Sequence, residues 1–166
     1  MKRLFLLRHA KAVEKTATDV ERVLAGRGRK DMAKVSRYLV EEGLTPDLAL
    51  VSPAARTRET WSLAGLPDVP VRFDERIYEA EVADLLEVIA SVDDAAGSVI
   101  LVGHNPGIED LARAVAADPE PVRSGLPTAA LVVIELPAET WRDGLVGTGR
   151  IERYLTPAKL EAGTDA

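Results

Sequence analysis

The sequence predicts an α/β fold: a three-layer α/β/α sandwich around a mostly parallel central sheet with an antiparallel edge. Two observations predict it. Short, continuously apolar runs at residues 3–7, 48–51 and 98–102 alternate with longer segments whose apolar residues recur at helical spacing. That is the pattern of strands buried on both faces and joined by crossover helices. The last two apolar runs, 129–136 and 149–155, have no helical segment between them, so at least one edge pair should run antiparallel.

Taken in order, Arg3-Leu4-Phe5-Leu6-Leu7 is a buried first strand, and a polar connection follows over residues 13–27. From 28 to 42, Met32, Val35, Leu39 and Val40 share one helical face; Gly43 is the C-terminal cap and Thr45-Pro46-Asp47 the turn. Residues 48–51 form the second strand. Ser52-Pro53 then reads as N-cap and first-turn proline of a helix that ends before Gly65-Leu66-Pro67. Residues 69–73 are a short third strand, and Val82, Leu85, Leu86, Ile89 and Val92 trace the next helix. After the fourth strand at 98–102, Asn105-Pro106 repeats the N-cap signature ahead of Ile108, Leu111, Ala112 and Val115. A polar loop containing Trp141 joins the two final strands.

With 166 residues, the chain suits one hydrophobic core, which serves lengths up to ~250. The expected organisation is a single domain over residues 1–157 and a polar tail, 158–166, that frays. No cysteine is present, which excludes disulfides, thiolate metal sites and a cysteine nucleophile. Arg8, His9 and Lys11 interrupt the early apolar run well short of the ~7–15 residues of a signal-peptide core. No stretch approaches the ~20 apolar residues of a membrane span. The expected compartment is the cytoplasm. A net charge of −6 argues against a general nucleic-acid partner, yet arginines focused in a cleft could still bind an anion.

Both histidines lie just past the carboxyl end of a strand, in Arg8-His9 and Gly103-His104-Asn105. Open α/β sheets bind ligands there. Arg8 directly follows an apolar strand, where an unpaired guanidinium is expensive; it either pairs with a carboxylate or receives an anion. Arg56 falls in the first turn of a helix, where the macrodipole disfavours a cation. It is either solvated or shares an anion with the helix amides. No Gly-x-Gly-x-x-Gly or Walker loop follows a strand, which argues against a nucleotide-binding fold of that type. Two histidines without close pairing make a poor metal site.

Leu-Leu-Arg8-His9-Ala-Lys, Ser52-Pro53-x-x-Arg56-Thr-x-x-Thr60 and Val-Gly103-His104-Asn105-Pro106 together resemble the histidine phosphatase superfamily, in its order and spacing. Within it the chain is similar to the short SixA-type phosphohistidine phosphatase branch, over residues 2–157. The resemblance implies a phosphoglycerate mutase-like fold and a phosphohydrolase that needs no metal or other cofactor. His9 would be the nucleophile, and Arg8, Arg56 and His104 would bind the phosphoryl oxygens, His104 working as a protonated donor. Glu79, in Arg76-Ile77-Tyr78-Glu79-Ala80, matches the family's general acid and base; the competing reading is a cap on the following helix.

The chain departs from the commoner family pattern in two places. Ala10 replaces a glycine, and an asparagine expected within residues 11–15 is missing. Arg22 is either a replacement contact to substrate or a solvated loop residue, and Lys11 faces the same alternatives. The implied substrate is a protein phosphohistidine or a small phosphorylated molecule. The chain is too short for the enclosing insertions of a phosphomutase. A recognition module that binds phosphorylated partners without turnover is the alternative.

Overall fold

The computed structural model describes residues 1–14 and 18–161. It contains strands β1 (Lys2–Arg8), β2 (Leu48–Val51), β3 (Val71–Phe73), β4 (Ser98–Gly103), β5 (Leu131–Leu136) and β6 (Arg150–Leu155). The helices are α1 (Gly26–Glu41), α2 (Ala55–Leu63), α3 (Val82–Ala90), α4 (Gly107–Val115) and α5 (Pro157–Glu161). All six strands join one sheet in the order β3-β2-β4-β1-β5-β6. The pairs β3–β2, β2–β4 and β4–β1 are parallel, while β1–β5 and β5–β6 are antiparallel. The α/β/α sandwich and its antiparallel edge are as the sequence predicts, and the antiparallel part extends over two pairs.

Strand alternation divides the core. Leu4 and Leu6 of β1 pack with Leu85, Val88 and Ile89 of α3 and Ile108 and Leu111 of α4. Phe5 and Leu7 point the other way, into a cluster with Met32, Val35 and Leu39 of α1 and Trp61 of α2. Successive side chains of a strand point to opposite faces, so one run of four apolar residues serves both cores.

Several boundaries differ from the sequence reading. Helix α2 starts at Ala55, with Ala54 in the N-cap position; the Ser52 hydroxyl pairs instead with His104 at 2.8 Å. Helix α4 starts at Gly107, because the Asn105 amide is engaged by Glu109 at 2.6 Å and the Leu126 carbonyl at 2.9 Å. Strand β5 starts at Leu131; before it, Ala129 has φ 62° and its N–H returns to the carbonyls of Arg8 and His9. The start of the predicted third strand is a turn, closed by the Val69 N–H on the Leu66 carbonyl.

The tail contains a short helix, α5, whose Leu160 packs on the α1 side of the core. The rest of the tail, from residue 162, lies outside the described residues. The polar loop after β5 is pinned by a wholly buried Trp141, whose indole N–H donates to the Ala96 carbonyl at 2.8 Å.

The register carries the consequence for function. Arg8 stands opposite Gly103, and Val51 opposite Val102. The residues that follow, His9, Ser52 and His104, therefore emerge side by side at one edge. The His9 N–H continues the ladder to the Gly103 carbonyl at 3.1 Å, and the Ser52 N–H to Val102 at 3.2 Å.

The loop beyond β1 is held against α1 by a close approach at Gly28, where a Cβ would lie 2.2 Å from the Lys11 carbonyl oxygen. Gly28→Ala must displace backbone, and overpacking of this kind costs ~1–3 kcal/mol. Urea unfolding should show that loss of stability; an unchanged midpoint would mean that the contact yields freely.

Candidate active site

His9 is buried just past β1. Its Nδ1 lies 2.8 Å from the Ala10 carbonyl oxygen. A carbonyl only accepts, so Nδ1 carries the proton and Nε2 of the neutral ring carries the lone pair. Burial lowers the His9 pKa to about 4, against the Ala10 hydrogen bond and with help from the charges of Arg56, Arg8 and Arg22. The ring is therefore neutral at pH 7. Ala10 is wholly buried, and its N–H donates to the Thr60 hydroxyl at 3.0 Å, which ties the loop to α2.

His104 follows β4, with its ring centroid 5.4 Å from that of His9 and Tyr78 edge-on at 5.4 Å. Burial, followed by the charges of Arg56, His9 and Arg8, lowers its pKa to about 3. Burial among cations thus favours the neutral imidazole, whereas the expected protonated donor concerns the phosphoryl-bound site, whose anion would favour the charged form. The neutral ring can still donate from one nitrogen, and Ser52 shares Nε2 at 2.8 Å.

Arg56 is the second residue of α2 and is buried. Its anion is a carboxylate of the chain itself: Nη2 donates to Asp19 Oδ2 at 3.0 Å and Nη1 to the Asp19 carbonyl at 2.8 Å. Arg8 donates from Nη1 to the Leu126 carbonyl at 2.8 Å. Burial lowers the Arg8 pKa, and Glu109 opposes that. Arg22 is tied down as well, donating to the Val13 carbonyl and to Asp19 Oδ1, both at 2.9 Å. Its charge reaches His9, so the purely solvated reading of Arg22 does not hold. Lys11 contributes its backbone carbonyl, which accepts from the Ala25 N–H at 2.9 Å.

Glu79 is exposed and takes a left-handed backbone at φ 53°. It does not cap α3; Glu81 holds that position, with its N–H on Asp84 Oδ2 at 2.9 Å. Glu79 stands at the rim beside Tyr78, where its charge acts on the phenol.

Sequence reasoning missed Asp19, Ser52 and Tyr78 as members of this cluster. The Asp19-x-x-Arg22 spacing was a usable hint of an ion pair. The contacts from Asp19 to Arg56 and Tyr78, 37 and 59 residues away, leave no trace in local pattern.

Arg8 Nε, Arg56 Nε and His104 Nδ1 are all buried without a hydrogen-bond partner among the described residues. Buried polar atoms are rarely left so, and three in one cluster of cations around a neutral imidazole make this a candidate anion site.

Comparison with known proteins gives a concordant result. A family model described as the histidine phosphatase superfamily (branch 1) matches residues 4–92. An uncharacterized protein of Mycobacterium tuberculosis (strain H37Rv) is 30% identical over 159 residues, covering 91% of this chain and 99% of that protein. A provisionally assigned phosphohistidine phosphatase SixA from Nakamurella multipartitia superposes with a TM-score of 0.84 at 25% identity, covering 94% of this chain and 96% of that one. Its counterpart from Agrobacterium tumefaciens gives 0.82 at 28% identity, covering 94% and 98%.

The two histidines also make stability depend on pH. An unfolded histidine titrates near ~6.5, whereas His9 and His104 titrate at about 4 and about 3 in the folded chain. Between these values the unfolded state binds more protons, so stability is complete above pH ~6.5 and falls as the pH drops toward the folded values. Urea unfolding at pH 7.5 and 5 should show the fall, and His9→Gln with His104→Gln should flatten it. An equal fall in the double variant would assign the protons elsewhere.

Proposed function

The chain belongs to branch 1 of the histidine phosphatase superfamily and is a phosphohydrolase, and from that premise we propose that it works without a metal, through a phosphohistidine formed on Nε2 of His9. The observation that carries this reading is the state of His9. It is neutral, with its proton held on Nδ1 by the Ala10 carbonyl, and the charges of Arg8, Arg56 and Arg22 act on it.

The phosphoryl oxygens lie against Arg8, Arg56 and His104, with Arg22 adding charge at the rim. Nε2 attacks phosphorus in line as the bond to the leaving group breaks. The guanidiniums offset the charge on the equatorial oxygens, and because they are already desolvated and held, little reorganisation is needed as the bond changes. Nδ1 keeps its proton throughout and disperses positive charge onto the Ala10 carbonyl. Water then attacks phosphorus from the side the leaving group vacated, the Nε2–P bond breaks, inorganic phosphate leaves with both protons of that water, and the neutral imidazole returns. Metal independence rests on the arginines supplying the positive charge.

The proposed substrate is a phosphohistidine or another small or labile phosphorylated group, as for the provisionally assigned SixA relatives. The exposed position of Glu79 suits this. A phosphoramidate releases an imidazole that needs little help, whereas the alkoxide of a phosphate monoester needs a proton, for which Glu79 is the candidate donor.

The test is turnover in EDTA of a phosphohistidine peptide and of p-nitrophenyl phosphate. His9→Ala should abolish both, and Arg8→Ala or Arg56→Ala should lower kcat/KM by at least ~10²-fold, the scale of one lost oxyanion donor. Phosphate binding without turnover in the wild type would convert the reading to a recognition module. In a companion measurement, Glu79→Gln should slow alkyl phosphate hydrolysis more than phosphohistidine hydrolysis; equal effects would remove Glu79 from the role of acid.

A further inference from the structure

Arg8 and Arg56 are gripped in the same manner. Each donates from Nη1 to a backbone carbonyl, that of Leu126 for Arg8 and that of Asp19 for Arg56. In each, Nε is buried and without a hydrogen-bond partner among the described residues. In a guanidinium the Nε–H and one Nη2–H point the same way and form the side-on fork that matches two oxygens of a phosphoryl group. Both Nη atoms carry the grip on Arg56 and Nη1 alone that on Arg8, so Nε and the second hydrogen of Nη2 are what Arg56 has left for a phosphoryl group.

Asp19 makes the grip on Arg56 and extends it. Oδ2 accepts from Arg56 Nη2 and from the Tyr78 hydroxyl, and Oδ1 accepts from Arg22 Nη1. One carboxylate therefore joins the loop before α1, the start of α2 and the loop before α3. An acid beside an anion site invites a second interpretation, that it competes with substrate. The geometry argues against that. The Asp19 side chain is 48% exposed and that of Arg56 only 8%, so the carboxylate covers the outer end of the guanidinium and leaves the buried Nε.

Resting on the functional reading above, we propose that Asp19 is a positioning residue, which acts through Arg56 by holding the end of its guanidinium so that the side-on fork is fixed for the phosphoryl oxygens. A free arginine side chain has much rotamer entropy to lose, and a held fork loses less on binding. Misplacement by ~1 Å can cost ~10²-fold in rate. The Tyr78 hydrogen bond, followed by Arg56 and Arg22, holds the Asp19 carboxyl down at about 2, so it faces Arg56 as a carboxylate.

A double-mutant cycle of Asp19→Ala and Arg56→Ala tests this, read by kcat and KM on p-nitrophenyl phosphate and by calorimetric binding of orthovanadate and inorganic phosphate. In the wild-type background, Asp19→Ala should lower kcat/KM at least ~10-fold and weaken orthovanadate binding. In the Arg56→Ala background the same change should cost less than ~3-fold, since residues acting as a unit are not additive. Asp19→Asn, which keeps a carbonyl for Arg56, should recover part of the loss. The proposal is overturned if the penalty carries over in full without Arg56, or if Asp19→Ala binds phosphate more tightly or turns over as fast as the wild type. A wild type that binds phosphate but does not turn it over would defeat the functional reading, while the binding arm of the cycle still decides the role of Asp19.

Discussion

The desolvation of positive charge at the carboxyl edge of the parallel strands is the constraint to which the surrounding structure answers. Arg8, Arg56 and Arg22 and two imidazoles share a small volume, and burying unpaired guanidiniums is costly. Each arginine is accordingly tied to an acceptor of the chain: Leu126, Asp19 or Val13. The two histidines answer in the opposite sense, by giving up their protons. That response leaves His9 neutral with its Nε2 lone pair free, the state the proposed chemistry needs, so one electrostatic condition both shapes the site and suits that chemistry.

The scaffold keeps that condition from relaxing. Helix α4 meets the site through Glu109, whose Oε1 accepts from Asn105 and from the Leu126 N–H at 3.0 Å. The Leu126 carbonyl, in turn, receives both Arg8 and Asn105. On the other face, the Thr60 hydroxyl of α2 accepts from the Ala10 N–H and donates to the Arg56 carbonyl at 2.7 Å. The loop that presents His9 and the helix that presents Arg56 are therefore tied together through Thr60. A methyl at position 10 fits without exposure, so the departure from glycine there leaves His9 in place.

Much of the fold was legible because its signals are local. Four successive apolar residues in β1, the heptad-like spacing of Met32, Val35 and Leu39, and the helix-free gap before β6 each report a short-range preference. The errors fall where a tertiary partner outbid a local one. Ser52 and Asn105 have the side chains of helix caps, yet His104 and Glu109 engage them, and both helices start later. Glu79 stands close enough to α3 to cap it, but Glu81 takes the position.

The sequence by itself determined which strand ends carry the two histidines and two arginines, because strand boundaries and the order of motifs are properties of neighbours along the chain. It also determined that no cysteine takes part. Tertiary structure alone decided the protonation of His104, the anchoring of Arg22 and the entry of Asp19 and Tyr78 into the site. Those depend on dielectric environment and on contacts such as Asp19 to Tyr78, which span 59 residues. Coulombic energy and desolvation are set by distance and burial in three dimensions, and neither is encoded in the spacing of residues along a chain.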